Sequence, residues 1–97
     1  MRLLCVCFGN LCRSPMAEAL LRRHITKRGL DVEMASAGVG AWYEGNPPDQ
    51  RAVAVAARHG LDISGNKARK VRVADFRAFD RMLAMDRSNL DMLARRR

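Results

Sequence analysis

Ninety-seven residues allow one small domain, able to fold alone but with little stability to spare. With 48% hydrophobic and 29% charged residues, the composition excludes a disordered chain. The longest purely apolar run, residues 3–8, is far too short for a membrane span and lacks the cleavage pattern of a secretory signal.

The net charge of +8 points to an anionic partner such as nucleic acid, a membrane surface or phosphate, unless arginine simply decorates solvated helix faces. Three cysteines form an odd set, with Cys5 and Cys7 two apart. They make a poor disulfide framework and a poor metal set, so the expectation is free thiols in a reducing cytoplasm, with no metal and no cofactor.

Residues 2–7 (RLLCVC) are apolar nearly throughout, as a strand covered on both faces is. Gly9 and Asn10 break it. Ser14-Pro15 then reads as an N-cap followed by the first helical residue. The helix is expected to run to about Arg28, with Ala17, Leu20, Leu21, His24 and Ile25 on one face and Gly29 as the stop.

Residues 32–37 (VEMASA) read as a second strand. Residues 38–49 form the longest loop and carry Trp42 and Tyr43, the only Trp and Tyr of the chain. A second helix is expected over residues 48–59, presenting Ala52, Val55, Ala56 and His59 on one side. A short helical piece at 73–78, a third strand at 81–86 (RMLAMD) and a helix from Arg87 complete the chain. No internal repeat, low-complexity tract or linker interrupts it.

This alternation predicts an α/β fold of three layers, a parallel sheet with helices on both faces. In such sheets ligands bind beyond the carboxyl ends of the strands. Cys7 falls at that edge, and so does Asp86.

Cys7 and Arg13 stand six residues apart across the first strand end. With fifteen arginines in the chain, that spacing alone arises in roughly four of ten shuffled sequences. Its surroundings carry the weight. A strand, a tight loop with Gly9 and a helix N-terminus form a cradle for phosphate, with loop N–H groups and the helix dipole converging on the anion. The same field favours the thiolate of Cys7. Arg13 offers a bidentate fork to two phosphate oxygens, and Ser14 is placed to hydrogen-bond the sulfur. Such a site binds phosphate and attacks it to form a phosphocysteine.

The stretch CFGNLCRSP, residues 7–15, resembles the loop of the low-molecular-weight protein tyrosine phosphatases. Further matches run along the chain: Ser36-Ala37, residues 45–49 (GNPPD), Arg58-His59-Gly60, Ala68-Arg69, Asp75-Phe76 and residues 85–90 (MDRSNL). The resemblance implies a flavodoxin-like single phosphatase domain over residues 1–97, incomplete at its C-terminus, with the last strand and helix missing.

It further implies Cys7 as nucleophile and Arg13 as phosphate ligand, within a substrate-binding loop of Phe8, Gly9, Asn10, Leu11, Cys12, Arg13 and Ser14. Asn10, Ser14, Ser36 and His59 match positions that support the loop. Cys12 matches a second cysteine able to form a reversible disulfide with the nucleophile; its other reading is a small buried hydrophobe. Trp42 and Tyr43 fall where relatives place an aromatic wall of the substrate slot. Leu11 leans toward phosphotyrosine or another aryl phosphate, because phosphoarginine-directed relatives carry Thr there.

Family members also carry an Asp-Pro loop whose aspartate is the general acid. The three prolines here follow Ser14, Asn46 and Pro47, so no Asp-Pro dipeptide exists. The expectation is a fragment, or a natural short form, with impaired activity and an open sheet edge that favours self-association.

Three alternatives are kept. One is a phosphate-binding or phosphoarginine-directed relative. An arsenate-reductase-like enzyme would need relay cysteines, and no cysteine lies beyond Cys12. A non-enzymatic basic module for nucleic acid lacks the aromatic-basic interleaving such modules show. Membrane partners are not expected.

Overall fold

The computed structural model describes all residues except Cys12, Ala41, Trp42 and Arg97, and describes Arg96 through its backbone alone. The elements run in chain order as β1 (Arg2–Cys7), α1 (Arg13–Arg28), β2 (Glu33–Gly38), α2 (Gln50–Arg58), α3 (Asp75–Ala78), β3 (Arg81–Ala84) and α4 (Arg87–Arg96). The sheet is parallel with order β2-β1-β3. β1 pairs with β2 from Arg2↔Glu33 to Cys7↔Gly38 and with β3 from Leu3↔Arg81 to Val6↔Ala84.

β1 is central, which explains its run of buried residues from Leu4 to Cys7. Alternate residues serve opposite layers. Leu4 and Val6 join Ala37, Val39, Val71 and Leu93 in one cluster, backed by Phe76, Phe79, Met82 and Met92. That is the α3 and α4 side. On the other face Cys7 meets Ser14 of α1, and Arg22 of α1 donates to the Met34 carbonyl of β2 at 2.6 Å. There α2 joins α1 through Ala52, Ala56 and Ile63, packed against Met16, Ala19 and Leu61. The fold is the expected three-layer α/β arrangement of a flavodoxin-like domain.

Several boundaries differ from the sequence expectation, each for a physical reason. β2 lies one residue later than expected and includes Gly38, because the Gly38 N–H and carbonyl are both taken up by the segment 69–71. α2 starts at Gln50 because the Asp49 carboxylate accepts from the N–H groups of Arg51 and Ala52, at 2.8 and 3.4 Å. β3 ends at Ala84, since Asp86 turns to cap α4 by accepting from the Asn89 N–H at 2.8 Å.

The expected apolar faces are also narrower than drawn. α2 is nine residues long and covers only part of the α1 stripe, leaving Leu20 and His24 exposed. Val55 and His59 of the expected α2 face are likewise exposed. Among the described residues no helix is long and apolar enough to cross a membrane.

Candidate active site

The site forms where β1 ends. Cys7 is 2% exposed, and its sulfur lies 2.9 Å from the Ser14 hydroxyl and 3.1 Å from the Asn10 N–H, which donates to it. Ser14 was expected to cap α1. Instead the helix begins at Arg13 and Ser14 is fully buried inside its first turn. Its hydroxyl is engaged at the sulfur and also accepts from the Asn10 side-chain amide at 2.8 Å. Pro15 fits beside it because a first-turn N–H needs no intrahelical partner.

Asn10 is the hub of the loop. It adopts φ 59°, the one positive φ at a non-glycine among the described residues, a region that Asn tolerates better than most residues. Its Nδ2 also donates to the Ser36 hydroxyl at 3.0 Å, and its Oδ1 accepts from the Arg69 N–H at 3.0 Å. Through this one residue the loop is tied to α1, β2 and the segment before α3 by the side-chain amide, and to Cys7 of β1 by the backbone N–H. Of the expected supporting residues, Asn10, Ser14 and Ser36 are brought together here.

His59 is not. It is exposed at the C-terminus of α2, where its carbonyl accepts from Arg23 at 2.6 Å, and among the described residues its ring makes no hydrogen bond to the loop. α2 begins beside the loop, the Asp49 N–H donating to the Leu11 carbonyl at 2.9 Å. It then carries His59 away from it at about 1.5 Å per residue.

Arg13 sits at the rim with half its side chain exposed, and its Nη1 donates to the Asp86 carboxylate at 2.8 Å. The Asn89 N–H and then the Arg13 guanidinium hold the Asp86 carboxyl below the usual carboxylate range. Two aromatic rings flank the loop. Tyr43 covers Gly9 so closely that a Cβ there would lie 2.7 Å from the ring, and Phe8 lies over Gly40. Trp42 and Cys12, expected in the slot wall and in redox protection, lie outside the described residues. Cys5 lies two residues before Cys7 in β1, where burial first, then the nearby Glu18 and Cys7, push its thiol up to about 11.

Three participants were missed by sequence reasoning. Gly38 lies against the loop backbone, where a Cβ would stand 2.7 Å from the Phe8 carbonyl and 2.9 Å from the Asn10 nitrogen. Arg69 supplies the N–H on Asn10 and donates bidentately to Asp75, at 3.0 and 3.1 Å. Asp75 is 7% exposed and also accepts from the Arg72 N–H at 2.7 Å. Burial opposes its ionisation, but the Arg69 and Arg72 hydrogen bonds and charges outweigh it and lower its pKa. Ala68-Arg69 and Asp75-Phe76 stood out only as matches to the family pattern, with no role attached, and the charge pattern of residues 69–75 is by itself that of a solvated turn. A cleft of about 520 Å³ opens elsewhere between α1 and residues 60–66, lined by Arg22, Arg23, Lys27 and Asp62 among others. No cysteine is among its lining residues.

Residues 2–97 match the family described as "Low molecular weight phosphotyrosine protein phosphatase". A relative from Drosophila melanogaster, "Low molecular weight phosphotyrosine protein phosphatase 2", is 49% identical over 94 residues, covering 95% of this chain and 57% of its own length. The chain therefore spans little more than half of that relative. The crystal structure of an Entamoeba histolytica protein tyrosine phosphatase superposes with a TM-score of 0.95 at 38% identity, over 99% of this chain and 62% of that one. A Drosophila arginine phosphatase superposes with a TM-score of 0.92 at 42% identity, over 98% and 60%. Family match, relatives and loop geometry agree: this chain belongs to the low-molecular-weight phosphotyrosine protein phosphatase family.

Proposed function

We propose that this chain is a phosphatase domain that hydrolyses aryl phosphate monoesters, protein phosphotyrosine foremost, through a phosphocysteine on Cys7. The observation that carries the reading is the buried Cys7 sulfur held between the Asn10 N–H and the Ser14 hydroxyl at the N-terminus of α1. The sulfur is the attacking atom, and the helix N-terminus beside it attracts the phosphoryl group. In the first step the sulfur forms a bond to phosphorus as the bond to the aryl oxygen breaks, and the leaving group departs with the electron pair. In the second, water attacks phosphorus and the thiolate is released.

Arg13 binds the equatorial oxygens, and its contact with Asp86 keeps the guanidinium at the rim. The loop of residues 8–14 takes the phosphoryl group, with Phe8 and Tyr43 beside Gly9 and Gly40 forming the walls for the aryl ring. Trp42 is assigned to the same wall and Cys12 to reversible protection of Cys7. Free Cys5 and Cys7 fit a cytoplasmic setting.

Leaving-group protonation is the weak step within these 97 residues, which carry no Asp-Pro dipeptide. Activity should therefore be low on alkyl-like or poor leaving groups and best preserved on activated aryl phosphates. Hydrolysis of p-nitrophenyl phosphate by the chain and by Cys7→Ser tests this directly. Release that disappears in the variant supports the thiolate mechanism; equal release from both rules it out. A phosphoarginine substrate is the second reading, favoured by the similarity to an arginine phosphatase and opposed by Leu11. Comparing the chain with Leu11→Thr on the two phosphates separates them.

A further inference from the structure

Asp75 lies 65 residues beyond Asn10, in the one-turn helix α3 on the opposite layer from α1, and has no place in the chemistry above. Yet it is buried, and its carboxylate takes three hydrogen bonds, two from the Arg69 guanidinium and one from the Arg72 N–H. The main chain of Arg69 faces the other way. Its N–H donates to the Asn10 Oδ1, and its carbonyl accepts from the Gly38 N–H at 2.8 Å. Around it, the Ala68 carbonyl accepts from Gly45, the Ala68 N–H donates to the Asn46 carbonyl, and the Val71 N–H donates to the Gly38 carbonyl. Residues 68–71 are thus a strap laid across the end of β2, fastened at one side to the loop 43–46 and at the other to Asp75.

We propose that the Arg69–Asp75 pair positions the phosphate loop: by fixing the guanidinium, Asp75 fixes the Arg69 N–H that holds Asn10, and Asn10 holds the Cys7 sulfur. The inference rests on the phosphate-loop reading of residues 7–14. The relay runs through fixed hydrogen bonds. A bidentate fork constrains Arg69 in both distance and plane, which a single contact would not do. The Asn10 amide cannot swing without losing Ser14, Ser36 or Arg69. Its backbone stands in the left-handed region, where the rest of the structure must hold it. Arg69 and Asp75 act through Asn10, so they are positioning residues.

The test reads phosphate binding without requiring turnover. Cys7 is alkylated with iodoacetate in the intact chain, the modified cysteine is assigned by mass spectrometry, and protection by inorganic phosphate gives a dissociation constant. Asp75→Asn removes one partner of the fork, and Arg69→Gln removes the fork while keeping the N–H on Asn10. Each is expected to raise the phosphate dissociation constant about tenfold, the equivalent of one charge-assisted hydrogen bond, at temperatures where circular dichroism shows it folded. Ile63→Val, a buried position 1% exposed in the α1–α2 cluster, weakens the fold without touching the strap and is expected to leave the constant unchanged.

Unaltered phosphate binding in both strap variants would overturn the proposal. So would an equal loss in Ile63→Val, which would trace the effect to general stability. If both strap variants fail to fold, the pair is a staple of the whole domain and the proposal also falls. Failure of phosphate to protect Cys7 in the unaltered chain is a separate result: it removes the phosphate-loop reading, and the positioning role with it.

Discussion

An alanine at residue 38 would place its methyl carbon 2.7 Å from the Phe8 carbonyl and 2.9 Å from the Asn10 nitrogen. Both neighbours are backbone, so no side chain can swing aside. The loop itself must move, and with it the N–H that donates to Cys7. Gly38→Ala should cost about 2 kcal/mol of stability, read from the urea midpoint, and should weaken phosphate binding more than that loss of stability explains. A retained phosphate affinity would show that the loop adapts. Cys5 contrasts with Cys7 at the same scale. Its thiol, raised to about 11 by burial and its neighbours, should resist iodoacetate at neutral pH while Cys7 reacts, a difference that mass spectrometry of the alkylated peptides detects.

At the scale of elements, much of the site follows local rules and was legible. Cys7, Gly9, Arg13 and the helix after them lie within one strand–loop–helix unit, so their proximity follows from chain continuity. Asn10, Ser14 and Ser36 were legible through family resemblance. Arg69 and Asp75 were visible only as family matches without a role, and Gly38 not at all, because their roles depend on β2 lying beside β1 and on a strap 59 residues beyond Asn10. Ser14 carried two expectations, an N-cap and a partner of the Cys7 sulfur, and the structure realises the second while placing Ser14 inside the first turn of α1. His59 misled, since a helix-end histidine beside a buried face gives no sign that the face turns away.

Carboxylates at the element ends set a pH limit. Asp49, Asp75 and Asp86 are all held below the usual carboxylate range. Each depressed value means that the folded chain binds a proton less readily than the unfolded one. The contribution is present above the ordinary carboxylate value of about 4 and is lost as pH falls through the lowered values. The urea midpoint should therefore fall steeply below about pH 4, and Asp75→Asn should show a flatter acid limb from a lower plateau. An unchanged acid limb in that variant would mean that Asp75 titrates alike in both states.

The whole molecule has two sheet edges, β2 and β3, flanking the central β1. β2 is partly covered by the bridge from Gly38 to Lys70. β3 is a four-residue strand paired on one side with β1, and among the described residues no strand pairs with its outer edge, the kind of edge that recruits a second strand. Light scattering of the isolated chain should show mass rising with concentration. A monomer at every concentration would remove the β3 edge as an association site. The +8 charge opposes close approach, so added salt should shift the association to lower protein concentration.

Placing β1, which is made before both of its partner strands, at the centre of the sheet also dictates when the Cys7 loop can be assembled. β1 needs residues 33–38 on one side and 81–84 on the other, and Asn10 waits for Arg69. At roughly 5–20 residues per second of synthesis, Cys7 leaves the ribosome several seconds before its last partners exist. Throughout that interval it is a thiol on an unfolded chain, without the Asn10 N–H and the Ser14 hydroxyl that hold the sulfur in the folded loop.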